Sequence, residues 1–161
     1  MKREEILNTI QNAKISARDK SLLYIIAYCG PKVREIKELK ARDISADKDS
    51  ITINFNKRSI RIEDKGARFT IANWASKVNM DSFDFPLFSS IKKNRELTGK
   101  PMSDVSINKI LQSIFPGTNV RKFRRMFIDQ VINQDILKKD MKEQIGVSSY
   151  TALLHYTDES K

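Results

Sequence analysis

Apolar residues recur at helical spacing from the start of the chain. In 4–13, Ile6, Leu7 and Ile10 share one side, and Glu4 and Glu5 occupy the first turn, where acidic groups favour a helix dipole. A second helix is predicted from about Asp19 to Tyr28. Apolar residues surround nearly its whole axis, the pattern of a segment buried on all sides. Gly30 and Pro31 break it, and Pro31 suits the first turn of the next helix, where a missing N–H costs no hydrogen bond. That third helix, 32–41, sets Val33, Ile36 and Leu39 on one face and charges elsewhere.

The period then changes. In 50–56, 59–63 and 67–72 apolar and polar residues alternate, which is the strand period. Asn56-Lys57-Arg58 and Asp64-Lys65-Gly66 read as the turns between them. The pattern predicts a three-stranded antiparallel meander, with Lys57 at its first turn and Lys65 at its second. Helical spacing returns from Asn73, and the aromatics of the loop 84–90 are expected to pack into the core. Ser103 or Asp104 is placed to cap a helix that runs to about Phe115 and stops at Pro116-Gly117. Asn119 caps the next, over about 120–133, and two further helices are predicted near 135–144 and 148–156. With no repeat, linker or low-complexity segment, residues 1–161 read as one α+β domain, mostly α-helical with a small three-stranded antiparallel sheet.

Charge adds a partner to this picture. The formal net charge of +10 favours a polyanion, since binding one releases its condensed counterions; nucleic acid leads and an anionic membrane surface trails. The lone Cys29 and lone His155 exclude a disulfide framework and a His/Cys zinc cluster. Cys29 lies in the apolar run 22–29 and reads as a core filler, because no base accompanies it as a nucleophile would require. No segment has the length of a membrane span or the pattern of an export signal, so the expected location is intracellular, in the cytoplasm or, for a viral protein, in a host cell.

Four stretches, in order, resemble the catalytic domain of the tyrosine recombinases, the phage-integrase family. The segment 30-GPKVREIKELKARDI-44 resembles their T-G-L-R-x-S-E-L-x-x-L-x-x-x-D-I, with Gly30, Glu35, Leu39, Asp43 and Ile44 in register. A meander with a lysine at its first turn follows, matched by Lys57. The segment 118-TNVRKF-123 resembles the H-x-L-R box, and 145-IGVSSYTALLHY-156 resembles L-G-H-x-S-x-x-T-x-x-x-Y, with the same ten-residue step from Gly146 to Tyr156.

The resemblance implies the recombinase catalytic fold and cleavage of double-stranded DNA without cofactor or metal. A tyrosine attacks the phosphodiester and forms a 3′-phosphotyrosyl bond, two guanidinium forks hold the non-bridging oxygens, and a lysine protonates the leaving 5′ oxygen. It assigns the attack to Tyr156, the phosphate clamp to Arg121, the leaving-group proton to Lys57 and the first-arginine place to Lys32. Arg34 could take that place only through a register shift that misaligns Asp43 and Ile44; Arg58 and Lys65 share the hairpin with Lys57. Arg34, Arg58, Lys65, Lys122, Arg124 and Arg125 are the expected DNA-backbone contacts or solvated charges.

The departures point the other way. Lys32 keeps a charge but lacks the fork, while Thr118 and Val147 stand where the family has histidines. His155 adjoins Tyr156, but neighbouring helix residues point about 100° apart, which favours a structural or solvent-facing role. The catalytic-type domain is expected to begin within the first twenty residues, without the family's N-terminal clamp domain, and five residues follow Tyr156. That suits a fragment, a minimal protein whose DNA grip depends on partners, or a degenerate member. Two functions fit: an integrase or site-specific recombinase from a mobile element or virus, or a disabled recombinase-fold DNA-binding protein with an accessory or regulatory role. A type IB topoisomerase shares the fold and chemistry, but the short chain argues against it. Self-association or accessory recombination proteins on the DNA are compatible with either, and no membrane partner is implied.

Overall fold

A computed structural model describes residues 2–81 and 84–133. The two helices predicted beyond, together with Gly146, Val147, Ser149, His155 and Tyr156, lie outside the described residues. The chain begins with α1 (Arg3–Asn12) and α2 (Ala17–Cys29). Ser16 caps α2 by accepting the Asp19 N–H at 3.2 Å, and Gly30 ends it in the left-handed conformation at φ 52°. As its sequence demands, α2 is central: Leu22, Leu23, Ile25 and Ile26 are buried, and α1, α4 (Lys65–Asp81) and α6 (Val120–Asn133) pack around it. Truncating such a side chain to alanine costs about 2–5 kcal/mol, so this helix organises the core.

After the short α3 (Val33–Glu38) and a 3-10 turn at Ala41–Asp43, the chain enters a three-stranded antiparallel sheet of order β1 (Ile44–Ala46), β2 (Ile51–Asn54), β3 (Ser59–Ile62). Ile53 pairs with Ile44 on one side and Ile60 on the other, and Ile51 pairs with Ile62. Ile51, Ile53 and Ile62 turn into the core.

The predicted third strand, 67–72, is instead the first part of α4. Asp64 opens that helix, its carboxylate accepting the Ala67 N–H at 2.9 Å, so 64–66 is a helix entry and Lys65 is the first helical residue rather than a hairpin turn. The alternation of Ala67, Phe69 and Ile71 mimics a strand over six residues. The longer spacing Ala67, Ile71, Ala75, Val78 is helical, and it is those four that are buried while Phe69 is exposed. The sheet's remaining strand comes from 44–46, too short to show a period.

Leu87 and Phe88 pack into the core as expected, and the Trp74 indole N–H donates to the Leu87 carbonyl at 2.7 Å. An unpredicted hairpin follows, β4 (Ser89–Ile91) and β5 (Leu97–Pro101). α5 (Asp104–Ile114) begins at Ser103, whose hydroxyl accepts the Ser106 N–H at 3.1 Å, and Asn119 caps α6 through the Lys122 N–H at 2.8 Å.

Candidate functional site

The left-handed turn at Gly30 directs the chain from α2 into α3. A Cβ on Gly30 would collide with Phe127, so the bare backbone is what lets α6 close on this loop. Lys32 precedes α3, and its N–H donates to Glu35 Oε1 at 2.9 Å, turning that carboxylate back towards the loop.

From the turn after β2, Arg58 meets Glu35 with both edges of its fork: Nε to Oε2 and Nη2 to Oε1, each at 3.0 Å. Its Nη1 donates to the Cys29 carbonyl at 2.8 Å, and the guanidinium lies 4.7 Å from the Phe55 ring centroid and 5.8 Å from that of Phe127. From α6, Arg124 Nη1 donates to the Gly30 carbonyl at 2.9 Å and lies 3.9 Å from Glu35 Oε1. Two cations thus serve the carbonyl end of α2, where the helix dipole favours positive charge. The Arg58 side chain is 0% exposed and that of Arg124 4%, while Glu35 keeps 20%. One carboxylate therefore joins the post-α2 loop, the hairpin turn and α6 in a largely desolvated cluster.

Arg58 and Arg124, expected as DNA-backbone contacts or solvated charges, are interior groups held by Glu35 and by the helix-end carbonyls. Arg121 is exposed, one turn before Arg124, and it is Arg124 that α6 turns towards the first-arginine loop. The apolar-then-arginine step of the H-x-L-R box occurs twice, at Val120-Arg121 and Phe123-Arg124. Burial of Val120, Phe123, Phe127 and Val131 marks the inward stripe, and Arg124 lies on it. That stripe was available in the sequence; nothing there distinguished Arg58 from Lys57, and Glu35 stood out only as a motif match.

Lys32 and Lys57 are exposed beside the cluster, one at the start of α3 and one next to Arg58. Arg34 points to solvent and pairs with Glu38 at 2.9 Å. Lys65 is exposed at the start of α4, Lys122 is exposed with Nζ donating to the Gly117 carbonyl at 2.7 Å, and Arg125 is half-buried on α6. Burial pushes the Cys29 thiol up to about 12, against a smaller opposing effect of Arg58, which suits a core residue and not a nucleophile. Burial, reinforced by Asp64, also raises the Tyr24 phenol and takes that of Tyr28 to about 12, so neither is poised to ionise. Among the described residues, no three His, Cys, Asp or Glu side chains are grouped to hold a metal, and no helix is long and apolar enough to cross a membrane.

No protein-family model and no curated protein sequence matches the chain. Solved structures do. XerH site-specific recombinase bound to difH substrate, in a pre-cleavage complex, is similar with a TM-score of 0.73 at 17% identity, over 96% of this chain and 48% of that one. XerA recombinase gives 0.71 at 17% identity over 98% and 57%, and the Tn1549 transposon integrase in complex with circular intermediate DNA 0.68 at 17% over 95% and 57%. The chain spans about half the length of these proteins. Its fold, mostly helical with a small antiparallel sheet, is that of the tyrosine recombinase catalytic domain.

Proposed function

We propose that this chain is a DNA strand-cleaving and rejoining domain acting through a 3′-phosphotyrosyl intermediate, as a divergent integrase or site-specific recombinase. The observation that carries this reading is the convergence at Glu35. The loop after α2, the β2–β3 turn and α6 carry three of the four stretches with recombinase resemblance, and one buried cluster joins all three.

In this reading the Tyr156 hydroxyl loses its proton to water as its oxygen attacks the scissile phosphorus. The new P–O bond replaces the bond to the 5′ oxygen, and Lys57 gives the departing oxygen a proton that it regains from water. Attack by the freed 5′ hydroxyl reverses the sequence and restores the duplex. Arg124, rather than Arg121, is the guanidinium assigned to the phosphate, supported by its place beside Gly30 and Glu35. Lys32 supplies a point charge where the family has a fork. Arg58 is a positioning residue, fixing Glu35 and the hairpin turn. The substrate is double-stranded DNA, and no metal or cofactor takes part.

Lys32 also favours a second reading, a DNA-binding accessory or regulatory protein on the same scaffold, because a lysine cannot hold two non-bridging oxygens in fork geometry. An end-labelled duplex carrying a nick separates the two. The enzyme forms a covalent complex that Tyr156→Phe abolishes and Arg124→Ala slows by about 10²–10³-fold, while Arg121→Ala has a smaller effect. Salt-dependent binding with no adduct on varied duplexes refutes the enzymatic reading in favour of the second.

A further inference from the structure

The β4–β5 turn combines concentrated charge with backbone strain. Lys92, Lys93, Arg95 and Lys100 are all exposed, and Glu96 is the one carboxylate among residues 89–101. The turn is well defined: the Lys92 N–H donates to the Glu96 carbonyl at 2.8 Å and the Arg95 N–H to the Lys92 carbonyl at 2.9 Å. Asn94 adds its side-chain oxygen as acceptor for the Glu96 N–H at 3.1 Å. Arg95 has φ 68°, the only positive φ of a non-glycine residue among those described. Glycine or asparagine is the natural occupant of such a turn position, since a Cβ is disfavoured there. A strained cation at the tip of a cationic hairpin is an outlier that points to use rather than to folding.

The surroundings match. Between this hairpin and α5 lies an open groove of about 450 Å³, lined by Arg18, Lys109 and three serines on its polar side and by Ile91, Met102 and Ile110 on its apolar side. Arg18, Lys109 and the Ser106 hydroxyl can donate to phosphate oxygens there, while the Ser113 hydroxyl donates to the Ile110 carbonyl and that of Ser90 is bonded to Thr98. Arg18, near the start of α2, donates to the Ser89 carbonyl at 3.2 Å, anchoring the hairpin at the end of α2 opposite the Glu35 cluster. The 13 residues of α2 separate these two anchor points by roughly 20 Å, about six base steps of a duplex.

We propose that the β4–β5 turn, with Arg95 at its tip, is a second contact surface for the phosphate backbone of duplex DNA, separate from the Glu35 site. The proposal rests on the DNA-binding reading given above. Fluorescence anisotropy with a duplex of about 30 base pairs, titrated between about 50 and 200 mM salt, tests it on the full chain. Removal of the cations in a Lys92→Ala, Lys93→Ala, Arg95→Gly variant makes the slope of log affinity against log salt shallower by roughly 2–3, near 0.9 for each phosphate that is no longer neutralised.

Arg95→Gly alone gives the sharper signature. It raises the thermal midpoint by roughly 2–4 °C as the strained φ is relieved, yet it makes the salt slope shallower by about 0.9, the share of a single phosphate. A structural role for Arg95 would instead lower the midpoint. Duplex binding by the unaltered chain with an unchanged slope in the triple variant overturns this proposal alone. No duplex binding by the unaltered chain overturns it together with the DNA reading.

Discussion

Arg58→Met would remove the guanidinium from the centre of the cluster while leaving an unbranched side chain in its place. Both bonds to Glu35 and the bond to the Cys29 carbonyl go with it. Glu35 retains the Lys32 N–H and the Arg124 guanidinium at 3.9 Å. Stranding one partner of a buried ion pair costs about 3–5 kcal/mol. The 20% exposure of Glu35 lets water screen part of its charge, so the expected loss is about 2–4 kcal/mol. For a chain of this size that lowers the thermal midpoint by roughly 5–15 °C. Urea unfolding followed by tryptophan emission reads the effect cleanly, because Trp74, the one tryptophan in the sequence, is buried in the core. Arg34→Met is the control: Arg34 pairs with Glu38 at 2.9 Å, but its side chain is 86% exposed, so solvent screens the pair and the unfolding midpoint should barely move. A double-mutant cycle of Arg58→Met with Glu35→Gln should return a coupling above about 1 kcal/mol. If Arg58→Met costs no more than Arg34→Met, the Glu35 cluster does not hold the fold together.

Gly30→Ala combines a left-handed φ with a collision against Phe127, and urea unfolding should show a loss of about 2–4 kcal/mol, part of it recovered by Phe127→Ala in the same chain. Ser103→Ala removes the acceptor for the Ser106 N–H and should cost about 1 kcal/mol in the same assay. Cys29 should resist thiol reagents until the chain unfolds. Its folded thiol ionises near 12 against an ordinary 9.0, so its contribution is fully present below pH 9 and declines from there towards 12. Cys29→Ala should remove part of the fall in denaturation midpoint measured across that window.

The helices were legible because burial on one or all sides leaves a period in the sequence. Leu22 to Ile26 announce α2, while Ser103 and Asn119 mark the starts of α5 and α6. The error at 67–72 came from reading six residues where the helical spacing needs eleven or more to declare itself. The β4–β5 hairpin left no alternation, because its positions are set by a turn and by pairing to Pro101 rather than by a buried face. The site was legible as a set of segments and not as a set of side chains. The apolar stripe of α6 separates Arg124 from Arg121, but nothing local distinguishes Lys57 from Arg58. Which of them goes inside is decided by the position of Glu35, a partner 23 residues from Arg58 and 89 from Arg124. The tyrosine assignment lies beyond the described residues and stands on sequence alone.

Glu35 also sets an order of assembly. Its bond to the Lys32 N–H is local, its bonds to Arg58 close a loop of 23 residues, and the Arg124–Gly30 bond closes one of 94. Long closures are made late, after the entropy of shorter ones has been spent. During synthesis the first two contacts can form while α6 is still unmade, leaving the Gly30 loop without the Arg124 bond. The cluster is completed only when α6 docks, so the geometry proposed above to hold phosphate is absent from any fragment of the chain that stops short of α6.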